Sequence, residues 1–139
     1  MHQSTLPDGF VKASHSGGFE KFISELYVKQ EQDNKVIFGF FVGEDHSNMG
    51  GSIHGGILMT SADHLMAAEI LRQPRRPNRI ATIQMDSHFL SRARPGDFLM
   101  CQCAITKTTR HVIFVEGLIF TDKRSILRAT GIWKIVDPA

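Results

Sequence analysis

Little in this sequence could brace a fold from outside its core. Only two cysteines, Cys101 and Cys103, occur in 139 residues. One residue separates them in strand-like sequence, so both side chains point the same way and cannot easily bridge. A disulfide framework is excluded, and the chain is long enough to fold on a buried core alone. Cysteines used as small hydrophobes suit a reducing compartment, and a cytoplasmic location is the expectation. No apolar run reaches membrane-spanning length, since Pro74 to Arg79 interrupts the longest one. Met1 to Asp8 carries neither the basic nor the apolar region of a secretion signal. A formal net charge of +2 is too small to imply nucleic acid by itself. Repeats, low-complexity blocks and linkers are missing too, which leaves one domain over residues 1–139.

What is present is ordinary in amount and informative in order. Hydrophobic residues make up 42% and charged residues 22%, as in globular proteins generally. Gly17-Gly18 precedes a short apolar segment, Phe19 to Ile23, compatible with a helical turn. Leu26 to Lys29 and Val36 to Val42 flank the turn residues Asp33-Asn34 and read as a hairpin. Glu44 to Ile53 is a polar, glycine-rich loop. Gly56 to Leu71 then has helical length, good helix formers and few polar positions, so the helix should be enclosed. After the Gln73 to Asn78 break come strand-like segments at Ile80 to Leu90, Asp97 to Lys107, Val112 to Phe120 and Ile126 to Val136. Successive strands without intervening helices forbid a doubly wound parallel sheet. The pattern predicts an α+β fold, with roughly five to six antiparallel strands curved around one long central helix.

The chemistry concentrates where loop meets helix, in Asn48-Met49-Gly50-Gly51-Ser52-Ile53-His54-Gly55-Gly56. The first amides of a helix lack intrahelical partners and sit at the positive end of its dipole. Glycines there leave a bare donor surface on which a carbonyl can rest and an oxyanion can be held. Asp63 follows two turns later in apolar company, where an ionised carboxylate needs a partner or a purpose. Donor site and base together point to acyl transfer. His54, at the helix start, is expected to bond loop backbone and fix the glycine pair. His46, His54, His64 and Asp63 match no compact metal-ligand spacing, so no metal is expected.

This order of elements, with His54-Gly55-Gly56 opening the helix and Asp63 inside it, resembles the hotdog-fold thioesterases. Within them it is similar to the phenylacetate-degradation and acyl-CoA thioesterase group, whose pattern is Asn, a glycine-rich loop, His-Gly-Gly and then a helical Asp. The matching positions are Asn48, Gly50, His54, Gly55, Gly56 and Asp63, and the stretch Thr82 to Gly96, with Phe89-Leu90-Ser91-Arg92-Ala93 before a Gly turn, fits the strand that follows the helix. The resemblance covers about residues 20 to 136. It implies an acyl-CoA thioesterase without cofactor, coenzyme A being part of the substrate. Gly55 N–H would polarise the thioester carbonyl with help from the Asn48 amide. Asp63 would be general base or nucleophile, positioned by Thr82. Substrate contacts are expected from His54, Gly56, Phe89, Arg92 and Arg94.

The two arginines are singled out because coenzyme A phosphates need a few cations and both follow the strand that carries Thr82. The remaining basic residues read as solvated surface, the ten Phe residues and Trp133 mainly as core. Gly56 and Asp63 share a helix face but lie about 10 Å apart along it. An active site shared across a two-fold interface is therefore expected, with Ile80 to Leu90 edges joining in a dimer or dimer of dimers. Neither nucleic acid nor membrane is expected as a partner. The rivals are a non-catalytic module that binds acyl-CoA and a thioesterase acting on acyl-carrier-protein.

Overall fold

A helix of 17 residues, α1 (Gly55–Leu71), lies against one face of a seven-stranded antiparallel sheet. The computed structural model describes residues 5–14 and 18–139. Its strands are β1 (Val11–Lys12), β2 (Tyr27–Gln30), β3 (Val36–Phe41), β4 (Arg79–Phe89), β5 (Phe98–Thr108), β6 (Val112–Phe120) and β7 (Ser125–Asp137). One strand more than expected appears because two residues, Val11 and Lys12, pair with Val28 and Tyr27. The segment expected to be helical near Phe19 is a single 3-10 turn, Gly18–Phe22, while Gly17 lies outside the described residues. This is the hotdog fold, one long helix wrapped by a large sheet.

Local chemistry sets the limits of each piece. Asp33 and Asn34 both take φ of 57°, the left-handed region that Asx residues tolerate best, and so close the β2–β3 hairpin. The helix begins one residue earlier than its apolar run, at Gly55, because His54 caps it. Leu58, Ala62, Leu65, Met66 and Ile70 recur at helical spacing and are each 3% exposed or less. They pack against Leu99 and Cys101 on β5, Val115 and Ile119 on β6, and Leu127 and Trp133 on β7. The opposite helix face, through Gly56, Thr60, Asp63 and Ala67, remains partly open. One chain alone thus encloses half of this apolar helix.

The far end of α1 is tied down ionically. Glu69, buried, takes Arg72 Nε at 2.6 Å and Nη2 at 2.8 Å, while Arg72 Nη1 reaches the Asn34 carbonyl at 2.7 Å. Removing Arg72 would leave the buried Glu69 carboxylate without its cation.

The strand order is β1-β2-β3-β5-β6-β7-β4. From α1 the chain crosses to the far edge, lays down β4 against β7, and returns beside β3 as β5. The free side of β4 therefore carries 11 residues of unpaired backbone. Its ladder with β7 is interrupted between Thr82 and Gln84, where Ile83 has no counterpart and stands 54% exposed. A long edge with apolar side chains is a template for pairing with another chain.

Candidate active site at the start of the helix

The Gly-rich loop is organised by Asn48. Its Oδ1 accepts the amides of Gly50 at 2.9 Å and Ser52 at 3.2 Å, which fixes the side-chain amide with its nitrogen turned to other use. His54 N donates to the His46 carbonyl at 2.8 Å, and Ile53 N to the Ala93 carbonyl at 2.9 Å, so the loop is pinned on both sides.

At the helix start the amides are allotted one by one. His54 Nδ1 accepts from Gly56 N at 2.8 Å, and the His54 carbonyl accepts from Ile57 and Leu58. Gly55 N–H is left without an acceptor among the described residues. Both glycines stand in tight quarters. A Cβ on Gly56 would stand 2.9 Å from His54 Nδ1, inside contact distance, and one on Gly55 would stand 3.0 Å from the Phe89 ring. His54-Gly55-Gly56 thus delivers one bare donor, at the positive helix end, beside an aromatic ring.

That donor opens into an open cavity of about 390 Å³, bordered by Asn48, Gly55, Leu58, Phe89, Leu90 and Arg92. Of the expected substrate contacts, Phe89 and Arg92 line it, whereas His54, Gly56 and Arg94 do not. Arg94 belongs to the following turn, where its N donates to Asp97 Oδ2 at 2.9 Å. Sequence reading passed over Arg124 as surface. Its Nη2 lies 3.0 Å from Asp97 Oδ2 and its Nε donates to the Arg92 carbonyl at 2.9 Å, bracing the segment that presents Arg92. A bond spanning 27 and 32 positions leaves no local signal. Leu90 and Ser91 also line the cavity, though the sequence offered them only within the family match; Leu90 was expected inside the strand, which ends at Phe89.

Asp63 and Thr82 meet elsewhere. Thr82 Oγ1 donates to Asp63 Oδ1 at 2.7 Å, joining the open face of α1 to the edge strand. Oδ2 has no hydrogen-bond partner among the described residues. Eight residues of helix separate this carboxylate from Gly55, about 12 Å. Within one chain the donor and the carboxylate are therefore apart and do not converge on one point.

Another polar pair is inert. Cys101 and Cys103 are free, with Sγ atoms 3.7 Å apart. The bond to Cys101 and then burial push the Cys103 thiol far above the ordinary range, so it stays protonated. No group of three or more His, Cys, Asp or Glu side chains converges as a metal site among the described residues. Nor is any helix of the described residues long and apolar enough to cross a membrane.

Comparison with known proteins places the same segment in context. The profile of the Thioesterase superfamily matches residues 50–127, from the Gly-rich loop to β7. Human acyl-coenzyme A thioesterase 13 is 24% identical over 98 residues, covering 70% of this chain and 69% of that protein. Thioesterase superfamily member 2 of zebrafish superposes with a TM-score of 0.77 at 22% identity, over 86% of this chain and 88% of its own. A hypothetical thioesterase of Streptococcus pneumoniae, crystallised with coenzyme A, gives 0.73 at 19% identity, over 93% and 97% respectively.

Proposed function

Because the chain belongs to the thioesterase superfamily, we propose that it is an acyl-CoA thioesterase, releasing a free acid and coenzyme A. The observation that carries this reading is an amide without an acceptor among the described residues, Gly55 N–H, at the mouth of a cavity edged by Asn48 and Arg92. The thioester oxygen accepts from Gly55 N–H and from the Asn48 amide nitrogen, and those donors tighten as negative charge grows there. Arg92 meets a phosphate of the coenzyme. Asp63, held at Oδ1 by Thr82, uses Oδ2 to take a proton from water as the water oxygen bonds to the carbonyl carbon. When the intermediate collapses, the C–S bond breaks and the proton passes to the departing thiolate. Direct attack by Asp63 through an anhydride is the alternative route to the same products.

The carboxylate that serves a given Gly55 belongs to a second copy of the chain. Reacting atoms must approach to about 3 Å, and the 12 Å of intervening helix rules out the chain's own Asp63. Two-fold pairing along β4 supplies the other half. The test is thiol release from short, long, branched and aryl acyl-CoAs by the wild-type chain and by Asp63→Asn. Turnover is expected with at least one class, falling about 10²- to 10⁴-fold in the variant while the fold is kept. Substrate binding without any release would make the chain an acyl-CoA-binding module. A folded Asp63→Asn with normal turnover would return the carboxylate to a structural role.

A further inference from the structure

We propose a soft-metal site, of the kind that takes a cuprous ion, formed by Cys101 and Cys103 on β5 with Met66 on α1. The two cysteines leave the strand on one face, and their Sγ atoms stand 3.7 Å apart. Across the ladder Cys103 is opposite Gly117 of β6. A Cβ on Gly117 would stand 3.2 Å from Met66 Sδ and 3.6 Å from Cys103 Sγ. The missing side chain therefore leaves a gap that a thioether and a thiol both border. Cys101 and Met66 are fully buried. Cys103 also borders a cavity of about 530 Å³, together with Gln102, Gly117 and Arg72, through which a cation can reach the sulfurs.

The spacing suits chelation and not oxidation. A disulfide needs its Cβ atoms within about 4.5 Å, whereas alternate residues of one strand are about 6.7 Å apart. Two metal–sulfur bonds of about 2.3 Å at a tetrahedral angle set their sulfurs about 3.8 Å apart, close to the spacing already present. The donor set fixes the class of ion. Two thiolates and a thioether are soft ligands and select Cu(I) over hard cations. No His, Asp or Glu joins the two thiols as a third ligand among the described residues, so the usual four-ligand set of zinc is incomplete. Met66 has three rotatable side-chain bonds with which to turn its sulfur to the ion. The thiols are inert while protonated, but a soft cation displaces their protons. Each passes its proton to solvent, and one Cu(I) takes the place of two protons. β6 and β7 lie between β5 and the β4 edge, so pairing of chains along β4 does not enlist these cysteines.

The test is an anaerobic titration of the reduced full chain with Cu(I), in competition with the colorimetric cuprous chelator bicinchoninate. One Cu(I) per chain should pass from the chelator to the protein, while Zn(II) should bind about 100-fold more weakly or worse. X-ray absorption of the loaded chain should show sulfur neighbours alone, at about 2.3 Å. Cys101→Ala and Cys103→Ala should each lose about 100-fold in affinity. Met66→Leu, which keeps the volume but removes the thioether, should lose about tenfold. Met100→Leu, beside Cys101 but on the opposite face of β5, should bind as the wild type does. No uptake from the chelator, equal affinity for zinc, or wild-type affinity in Met66→Leu or in the double variant C101A/C103A would each overturn the proposal. So would nitrogen or oxygen neighbours around the metal in the wild-type chain, a result that needs no variant to fold. No thioester is present in these measurements, so their failure leaves the hydrolase reading untouched.

Discussion

Two inactive variants of this protein should restore activity in each other. Asp63→Asn removes the proton acceptor but leaves the carbonyl-binding donor. Gly55→Val blocks that donor, since even a Cβ there stands 3.0 Å from the Phe89 ring. The ring is 53% exposed, so it can swing aside and the variant should still fold. The two anchors fix how the halves meet. Phe89 touches Gly55 and Thr82 holds Asp63, so an antiparallel β4–β4 pairing must set position 82 of one chain near position 89 of the other. Its two-fold axis then falls between Met85 and Asp86. In such a dimer each site takes Gly55 from one chain and Asp63 from the other. A mixed dimer has one intact site of two, and random assembly of equal amounts makes about half the dimers mixed. Co-refolded mixtures should therefore show about a quarter of the wild-type activity per chain, with either variant alone near background. The assay is thiol release, with heterodimers counted by native mass spectrometry. Heterodimers that form and remain inactive would refute the shared site.

Other consequences follow from single residues. Arg92→Gln should raise KM for acyl-CoA severalfold with little change in kcat, and added salt should weaken wild-type binding likewise; Arg94→Gln, outside the cavity, should do neither. His54→Ala removes the acceptor for Gly56 N and should cost about 1 kcal/mol, a fall in Tm of a few degrees in calorimetry. Cys103 stays protonated in the fold, so iodoacetamide should label it slowly at pH 8 and quickly once the protein is unfolded. The same raised pKa means that the unfolded chain releases this proton first. Stability should hold below about pH 8.5 and decline above it, and Cys103→Ala should flatten that decline in urea titrations.

What the sequence made legible is what local physics decides. Asp33-Asn34 announced its hairpin, β6 (Val112–Phe120) appeared with the limits its alternation implied, and His54-Gly55-Gly56 marked the helix start. The pairing of Thr82 with Asp63 was expected from family likeness and is present at 2.7 Å. Long-range choices were not legible. Nothing in β4 itself says that it takes the far edge beside β7, because that follows from competition among all strands for neighbours. The bracing of Arg92 by Arg124, and of the helix end by Glu69, Arg72 and Asn34, joins residues whose separation in sequence carries no pattern. Arg92 and Arg94 looked equivalent on paper. The chain turns between them, and only one faces the cavity.

The unmatched Ile83 has a consequence for the phase of the whole edge strand. Side chains alternate across a sheet, so residues an odd number apart point to opposite faces. Thr82 and Phe89 are seven apart, yet both point at α1, one to Asp63 and the other to Gly55. The inserted residue is what brings them back into step. Deleting Ile83 should heal the ladder with β7, retain the circular dichroism of the sheet and turn Thr82 outward. Turnover should fall because Asp63 loses the bond that positions it, and a deletion variant that keeps full activity would show that the phase is irrelevant. In a shared dimer one extra residue would synchronise two half-sites, and its loss would desynchronise both together.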